Sequence, residues 1–365
     1  MKEELINALV PSRLSHAAMQ MSSPLVSPAL DRLADAFRRL DEGTTARLRK
    51  NFAFALPHLT KPEVEDLVKR HWRARFQSEF ERVQLNGMPR EQLKRYCMTH
   101  VDIEGGEHVR AACESPEPLI LFTPHFGSFA IACLRAILDV ERHKTISLFY
   151  DPPEVNPTTA VYRPLIERLG CNSKVLLNDR TAALKGLRAL KNGNALGIMP
   201  DVYSYNLGMM FVPFFGRLAV AMGGTAFFAL KSNARLIPAY CHRRGRGRFV
   251  LQYGAPIELS RTGDFARDVY NTTARIFANI QEQLTALPEH WIYWDTFYER
   301  FAFAPEVTLP REGESWAEGF GSYRSELAEC ESSLGRFLGS FGAQLRRGVR
   351  HESRESRDER AVVNG

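Results

Sequence analysis

Short apolar runs alternating with helix-patterned stretches constrain the middle of this chain more than any other feature. The runs are "EPLILFTP" (117–124), "KTISLFYD" (144–151), "NALGIMPD" (194–201), "ARLIPAYCHRR" (234–244) and "GRFVLQYGAPIEL" (247–259). Each is short, rich in strand formers and bounded by Gly, Pro or charged residues, which is the signature of a buried strand. The intervening segments have helical spacing, as in "TAALKGLRALKNG" (181–193). That alternation predicts an α/β fold with a mixed, mainly parallel sheet flanked by helices. The last run, 247–259, reads as an edge strand.

The flanks differ in texture. Residues 29–112 read as a helical lead-in, since "PALDRLADAFRRL" puts Leu30, Leu33, Ala34, Phe37 and Leu40 on one face. "KPEVEDLVKRHWRARFQSEFERVQ" is a second amphipathic helix, opened by Pro62 in its first turn. The α/β core is expected over 113–305, ending in a long helix with an aromatic exit, "LPEHWIYW" (287–294). Beyond it lie a helical extension over 306–345 and a disordered tail over 346–365, low in apolar residues and mixed in charge. Residues 1–28 form an N-terminal segment without the apolar stretch of a signal peptide.

Charge and cysteine content narrow the function classes. The net charge of +6 suits an anionic partner such as an acidic protein or an anionic membrane surface, although solvated arginines account for it equally well. No nucleic-acid recognition motif accompanies it, so nucleic acid is not expected as a partner. The six cysteines show no CxxC pair and sit beside apolar residues, pointing to reduced thiols in a cytoplasmic protein. No apolar run reaches the ~18 residues a membrane span needs. The reading is cytoplasmic, with peripheral attachment at the inner membrane as the alternative. The histidines lack ligand-like spacing, and neither a metal nor a cofactor is expected.

Three clusters carry candidate chemistry. In "LFTPHFGSFAIA" (121–132), His125 stands where a strand gives way to a helix, the place where α/β sheets bind ligands. An imidazole there can serve as a general base; the plainer reading is a core histidine bonded to a carbonyl. Gly127 permits a tight turn, and the backbone N–H groups near Gly127 and Ser128 are candidate donors to an oxyanion. Asp201 follows another buried strand and could orient His125; a turn or cap aspartate is the plainer alternative. In "FVPFFG", Phe211, Phe214 and Phe215 form either a core strand or a wall for a fatty chain. "HRRGRGR" (242–248) looks like a hairpin or loop whose Arg243 and Arg244 could clasp phosphate, with Arg180 as a further anion ligand. Cys133, eight residues beyond His125 in an apolar helix, is a poor nucleophile candidate.

In order, "RLRKNFAFALPHLT", "VDIEGGEHVRAA", "LILFTPHFGSFAIA", "ALKGLRALKNGNALGIMPD", "FVPFFGRLAVAMGGTAFFALKSNARLIPAY" and "LPEHWIYWDTFYERF" resemble the lysophospholipid acyltransferase superfamily. The similarity runs over about 30–302 and is nearest the late acyltransferases of lipid A biosynthesis. It implies transfer of an acyl group from an acyl-carrier-protein or coenzyme A thioester to a hydroxyl or amine, on a small-molecule or lipid acceptor. His125 matches the family base. The family places an acid five positions after that histidine, and here the position is Ala130. Where the lipid A branch carries two acids one residue apart, this chain keeps Asp201 and has Tyr203, grouped here with the substrate-binding candidates. The resemblance therefore leaves a specialised acyltransferase, acting in natural-product assembly with Asp201 in place of the lost acid. Its rivals are a non-catalytic acyl-chain or carrier-protein binding module and a thioester hydrolase.

Overall fold

The computed structural model describes residues 23–297 except Arg180, 203–208 and Arg246; for 23–27, Met209, Phe211, Arg217 and Leu218 it describes the backbone alone. The expected extension and tail after residue 305, and most of the N-terminal segment, lie outside the described residues.

Four helices open the described residues: α1 (Ser23–Leu40), α2 (Glu42–Ala55), α3 (Lys61–Gly87) and α4 (Arg90–His100). Asp41 caps α2 by accepting the Thr44 N–H, and Thr60 with Glu63 forms a capping box on α3 with Pro62 in the first turn. Strand β1 (Val101–Glu104) and helix α5 (Gly106–Glu114) lead to β2 (Leu119–Phe122), α6 (Phe129–Val140) and β3 (Ile146–Tyr150). Then come α7 (Thr159–Leu169), β4 (Ser173–Leu177), α8 (Ala182–Lys191) and β5 (Ala195–Ile198). A hairpin of β6 (Met209–Phe214) and β7 (Arg217–Met222) precedes α9 (Gly224–Ser232), β8 (Arg235–Gly245), β9 (Arg248–Tyr253) and α10 (Phe265–Ala286). Two 3-10 turns, Pro288–His290 and Ile292–Asp295, follow α10.

Seven strands form one sheet in the order β1-β9-β8-β2-β5-β3-β4, parallel at each neighbouring pair except β8 with β9. The α/β reading of the sequence holds, with three differences, one being that the edge strand β4 lies in a stretch the sequence reading left unassigned. β9 is not an edge strand, because β1 pairs along its outer side from Val101↔Phe249 to Glu104↔Gln252. The stretch 101–104, read as part of a helical lead-in, supplies that outer strand. Four residues are too few for a period-2 pattern to stand out, and only the pairing with β9 makes them a strand.

Both faces of the sheet are covered, as a mainly parallel sheet requires. In β2, Ile120 and Phe122 join an aromatic-rich layer with Phe52, Trp72, Phe214, Phe277 and Trp291. Leu119 and Leu121 face the opposite layer with Leu93, Ile137, Phe249 and Leu251. All four residues of β2 are buried, so the chain leaves the strand from the centre of the molecule.

Candidate active site

Sheet register brings His125 and Asp201 together. β2 and β5 are parallel neighbours with Phe122 opposite Ile198, and the Thr123 N–H continues the ladder to the Ile198 carbonyl at 3.2 Å. His125 and Asp201 each stand three residues beyond that last pair. The chain leaves β2 through α6 for β3 and passes over the slot that β5 fills. Crevices at such points, at the carboxyl ends of strands, are where open α/β sheets receive ligands.

The contact is two-pronged. Asp201 Oδ1 lies 2.9 Å from His125 Nδ1, and Oδ2 accepts the His125 backbone N–H at 2.8 Å. Oδ2 also accepts the indole N–H of Trp291 at 2.9 Å. Asp201 is 1% exposed while the His125 side chain is 18% exposed, so the carboxylate is enclosed and the imidazole edge is reachable. A buried carboxylate with several donors is fixed in orientation. In a neutral imidazole that donates its Nδ1–H to this oxygen, the Nε2 lone pair is the one left to take a proton.

Trp291 belongs to a segment that straps the turn from behind. The Gly127 N–H donates to the His290 carbonyl at 2.8 Å, and the Ile292 N–H to the His125 carbonyl at 3.1 Å. Between them Phe126 and Trp291 form an antiparallel bridge. Gly127 has φ +53, and a Cβ there would stand 2.2 Å from the Cys241 carbonyl oxygen, so the turn requires glycine. Around the imidazole stand Phe129 and Tyr293, with ring centroids 5.4 and 5.0 Å away, and Tyr162 packs on Phe129 at 5.7 Å. Burial pushes the His290 imidazole down to about 4, so it is neutral beside the turn.

Several candidates from the sequence occupy other roles. The amides of Gly127 and Ser128, expected as oxyanion donors, donate here to the His290 carbonyl and to the Cys241 carbonyl at 3.1 Å. Strand and strap approach the turn from both sides and use these N–H groups. Phe214 and Phe215 are buried in an aromatic cluster, 5.4 Å from Phe277 and 5.5 Å from Trp294, so they are core rather than a wall for a chain. Phe211 lies in β6 opposite Val220. The described residues of "HRRGRGR" belong to the β8–β9 hairpin, with Arg243 paired to Glu81 and Arg244 to Glu104 at 2.7 Å. Arg180 and Tyr203 lie outside the described residues. Ala130, where the family acid is expected, packs against the apolar layer of Leu121 and Ile137. Burial pushes the Cys133 thiol up to about 12, which leaves it protonated and unreactive at neutral pH.

Trp291 and Glu81 escaped the sequence reading. An aromatic exit from a helix and a glutamate inside an amphipathic segment look like core and surface until the fold sets them beside the turn. Among the described residues no group of His, Cys, Asp and Glu is arranged to hold a metal ion, and no helix is long and apolar enough to cross a membrane.

No curated protein matches the chain. The family model for bacterial lipid A biosynthesis acyltransferases matches residues 14–300, well over half of the sequence. With its mainly parallel sheet, flanking helices and a histidine at the mouth of β2, the chain belongs to the bacterial lipid A biosynthesis acyltransferase family.

Proposed function

We propose that the protein moves an acyl chain from an acyl-carrier-protein or coenzyme A thioester to an amine or hydroxyl, with His125 as general base and Asp201 as the acid that orients it. Family membership supports acyl transfer as the activity class. The observation that carries the finer reading is the 2.9 Å contact between Asp201 Oδ1 and His125 Nδ1. His125 Nε2 takes the proton of the acceptor O–H or N–H as oxygen or nitrogen attacks the thioester carbonyl. The tetrahedral intermediate collapses, the C–S bond breaks, and the imidazolium returns the proton to the departing thiolate. Asp201 keeps the imidazole in its reactive tautomer and stabilises the transient imidazolium. Specialised lipid or natural-product assembly fits an acid supplied from a second loop, and a net charge of +6 fits an acidic carrier domain as donor.

The test follows acylated products by mass spectrometry over a panel of acyl-carrier-protein and acyl-CoA thioesters, with amine and hydroxyl acceptors. His125→Ala should abolish product. Asp201→Asn should lower kcat by up to about 10⁴, the loss when the orienting acid of a triad is neutralised. Carrier-protein donors should bind less tightly as salt rises, whereas salt-independent binding would turn the donor assignment toward coenzyme A. Ala130 favours a second reading, a binding module that has lost its catalytic acid. Thioester bound but intact with every acceptor would select that module, and free fatty acid without acylated product would select a hydrolase.

A further inference from the structure

Beneath the His125 turn lies a buried charge pair that the chemistry above does not use. Glu81 on α3 is 4% exposed and meets the guanidinium of Arg243 on β8. Burial pushes Arg243 down to about 10, which still leaves it charged at neutral pH. The second carboxylate oxygen, Oε2, accepts the Ser128 hydroxyl at 2.6 Å.

Ser128 is the N-cap residue of α6, with φ −89 and ψ 54, and its side chain makes no capping bond. A serine in this place ordinarily turns its oxygen onto the N–H groups of the first helical turn. Here the Glu81 carboxylate sets its direction. One helical turn earlier on α3, Ser78 donates its hydroxyl to the Gly127 carbonyl at 3.2 Å. Residues three apart share a helix face, so a single face of α3 grips two consecutive residues of the turn. The amides of those same residues are held by His290 and Cys241. A buried ion pair is a poor source of stability compared with packed apolar side chains. What this pair provides is direction. It aims one carboxylate oxygen at one hydroxyl, three residues from the imidazole.

We propose that Glu81, held by Arg243, is a positioning residue for His125. Through Ser128 it sets where the turn and the start of α6 stand relative to Asp201. The proposal rests on the reading of His125 as the base.

The test uses the full chain and compares Ser128→Ala, Ser128→Thr and Glu81→Gln with His125→Ala. Ser128→Ala leaves the ion pair in place and removes only the link, and Ser128→Thr restores the hydroxyl. The first readout needs no substrate: the proton NMR signal of the His125 Nδ1–H, bonded to Asp201 and absent in His125→Ala. It should broaden or shift in Ser128→Ala and return in Ser128→Thr, with the melting temperature nearly constant. In the acyl-transfer assay, kcat should fall about tenfold or more at nearly constant KM, since small misplacements near the chemistry are costly. Ser128→Ala combined with Glu81→Gln should not be additive. A folded Ser128→Ala protein with the wild-type signal and kcat overturns the proposal. So does a loss that tracks the melting temperature and that threonine does not restore. Activity retained in His125→Ala would instead bring down the reading of the base, an outcome the control separates from the other two.

Discussion

Asp201 accepts three N–H donors, two from His125 and one from Trp291, while 1% exposed. Removing one donor leaves the carboxylate buried with part of its bonding lost, at a cost of about 1.5–3 kcal/mol for a charged acceptor. Trp291→Phe keeps an aromatic ring in the core and deletes the indole N–H. It should lower kcat about tenfold or more and move KM little; wild-type kcat in the folded variant would reduce Trp291 to a packing residue. Much of this site was legible in the chain. His125 and Asp201 each end a buried run followed by turn chemistry, and the topology of α/β sheets places such positions at a common mouth. Trp291 was not legible, since nothing local distinguishes an indole that bonds a distant carboxylate from one that fills a core. Nor could Glu81 and Arg243 be paired, as helix and hairpin each look like ordinary charged surface alone.

At the scale of elements, the turn between β2 and α6 depends on one backbone conformation. Gly127 has φ +53 and no room for a Cβ against the Cys241 carbonyl. Gly127→Ala combines a left-handed alanine with that clash and should destabilise by about 3 kcal/mol or more. The melting temperature should drop by about 5 °C or more, measured by circular dichroism. An alanine variant as stable as the parent would show that the strap or β8 can retreat from the turn. Strands β2, β3, β5, β8 and β9 were legible because compact apolar runs such as fully buried β2 interrupt helical periodicity, whereas β4 was missed. β1 was not, because its four residues acquire strand character only from β9 beside them. "FVPFFG" carried two readings, and the packing of Phe214 on Phe277 and Trp291 decides for core.

For the whole molecule, acid stability is set in part by His71, on α3 against the strap. It is buried, its Nδ1 lies 2.9 Å from the Glu289 carbonyl, and it packs edge-on to Phe52. Burial lowers its pKa from 6.5 to about 4, with the nearby Arg75 charge acting in the same direction. The unfolded chain therefore binds a proton more readily than the native one between those values. The resulting stability is complete above about pH 6.5 and is lost as pH falls toward 4, with a total of roughly 3 kcal/mol. The melting temperature should fall over that window, and His71→Phe should flatten part of the slope. An unchanged slope in the folded variant would assign the acid sensitivity to other groups.

The strap also imposes an order in time. His125 and Asp201 leave the ribosome well before His290 and Trp291, which hold the turn and the carboxylate. At translation rates of about 5–20 residues per second, the interval between Asp201 and Trp291 is roughly five to twenty seconds. During that interval a nascent chain carries both side chains without the segment that seats them. A fragment ending before His290 stays in that condition for good. Completion of the site thus waits until translation has passed Trp291.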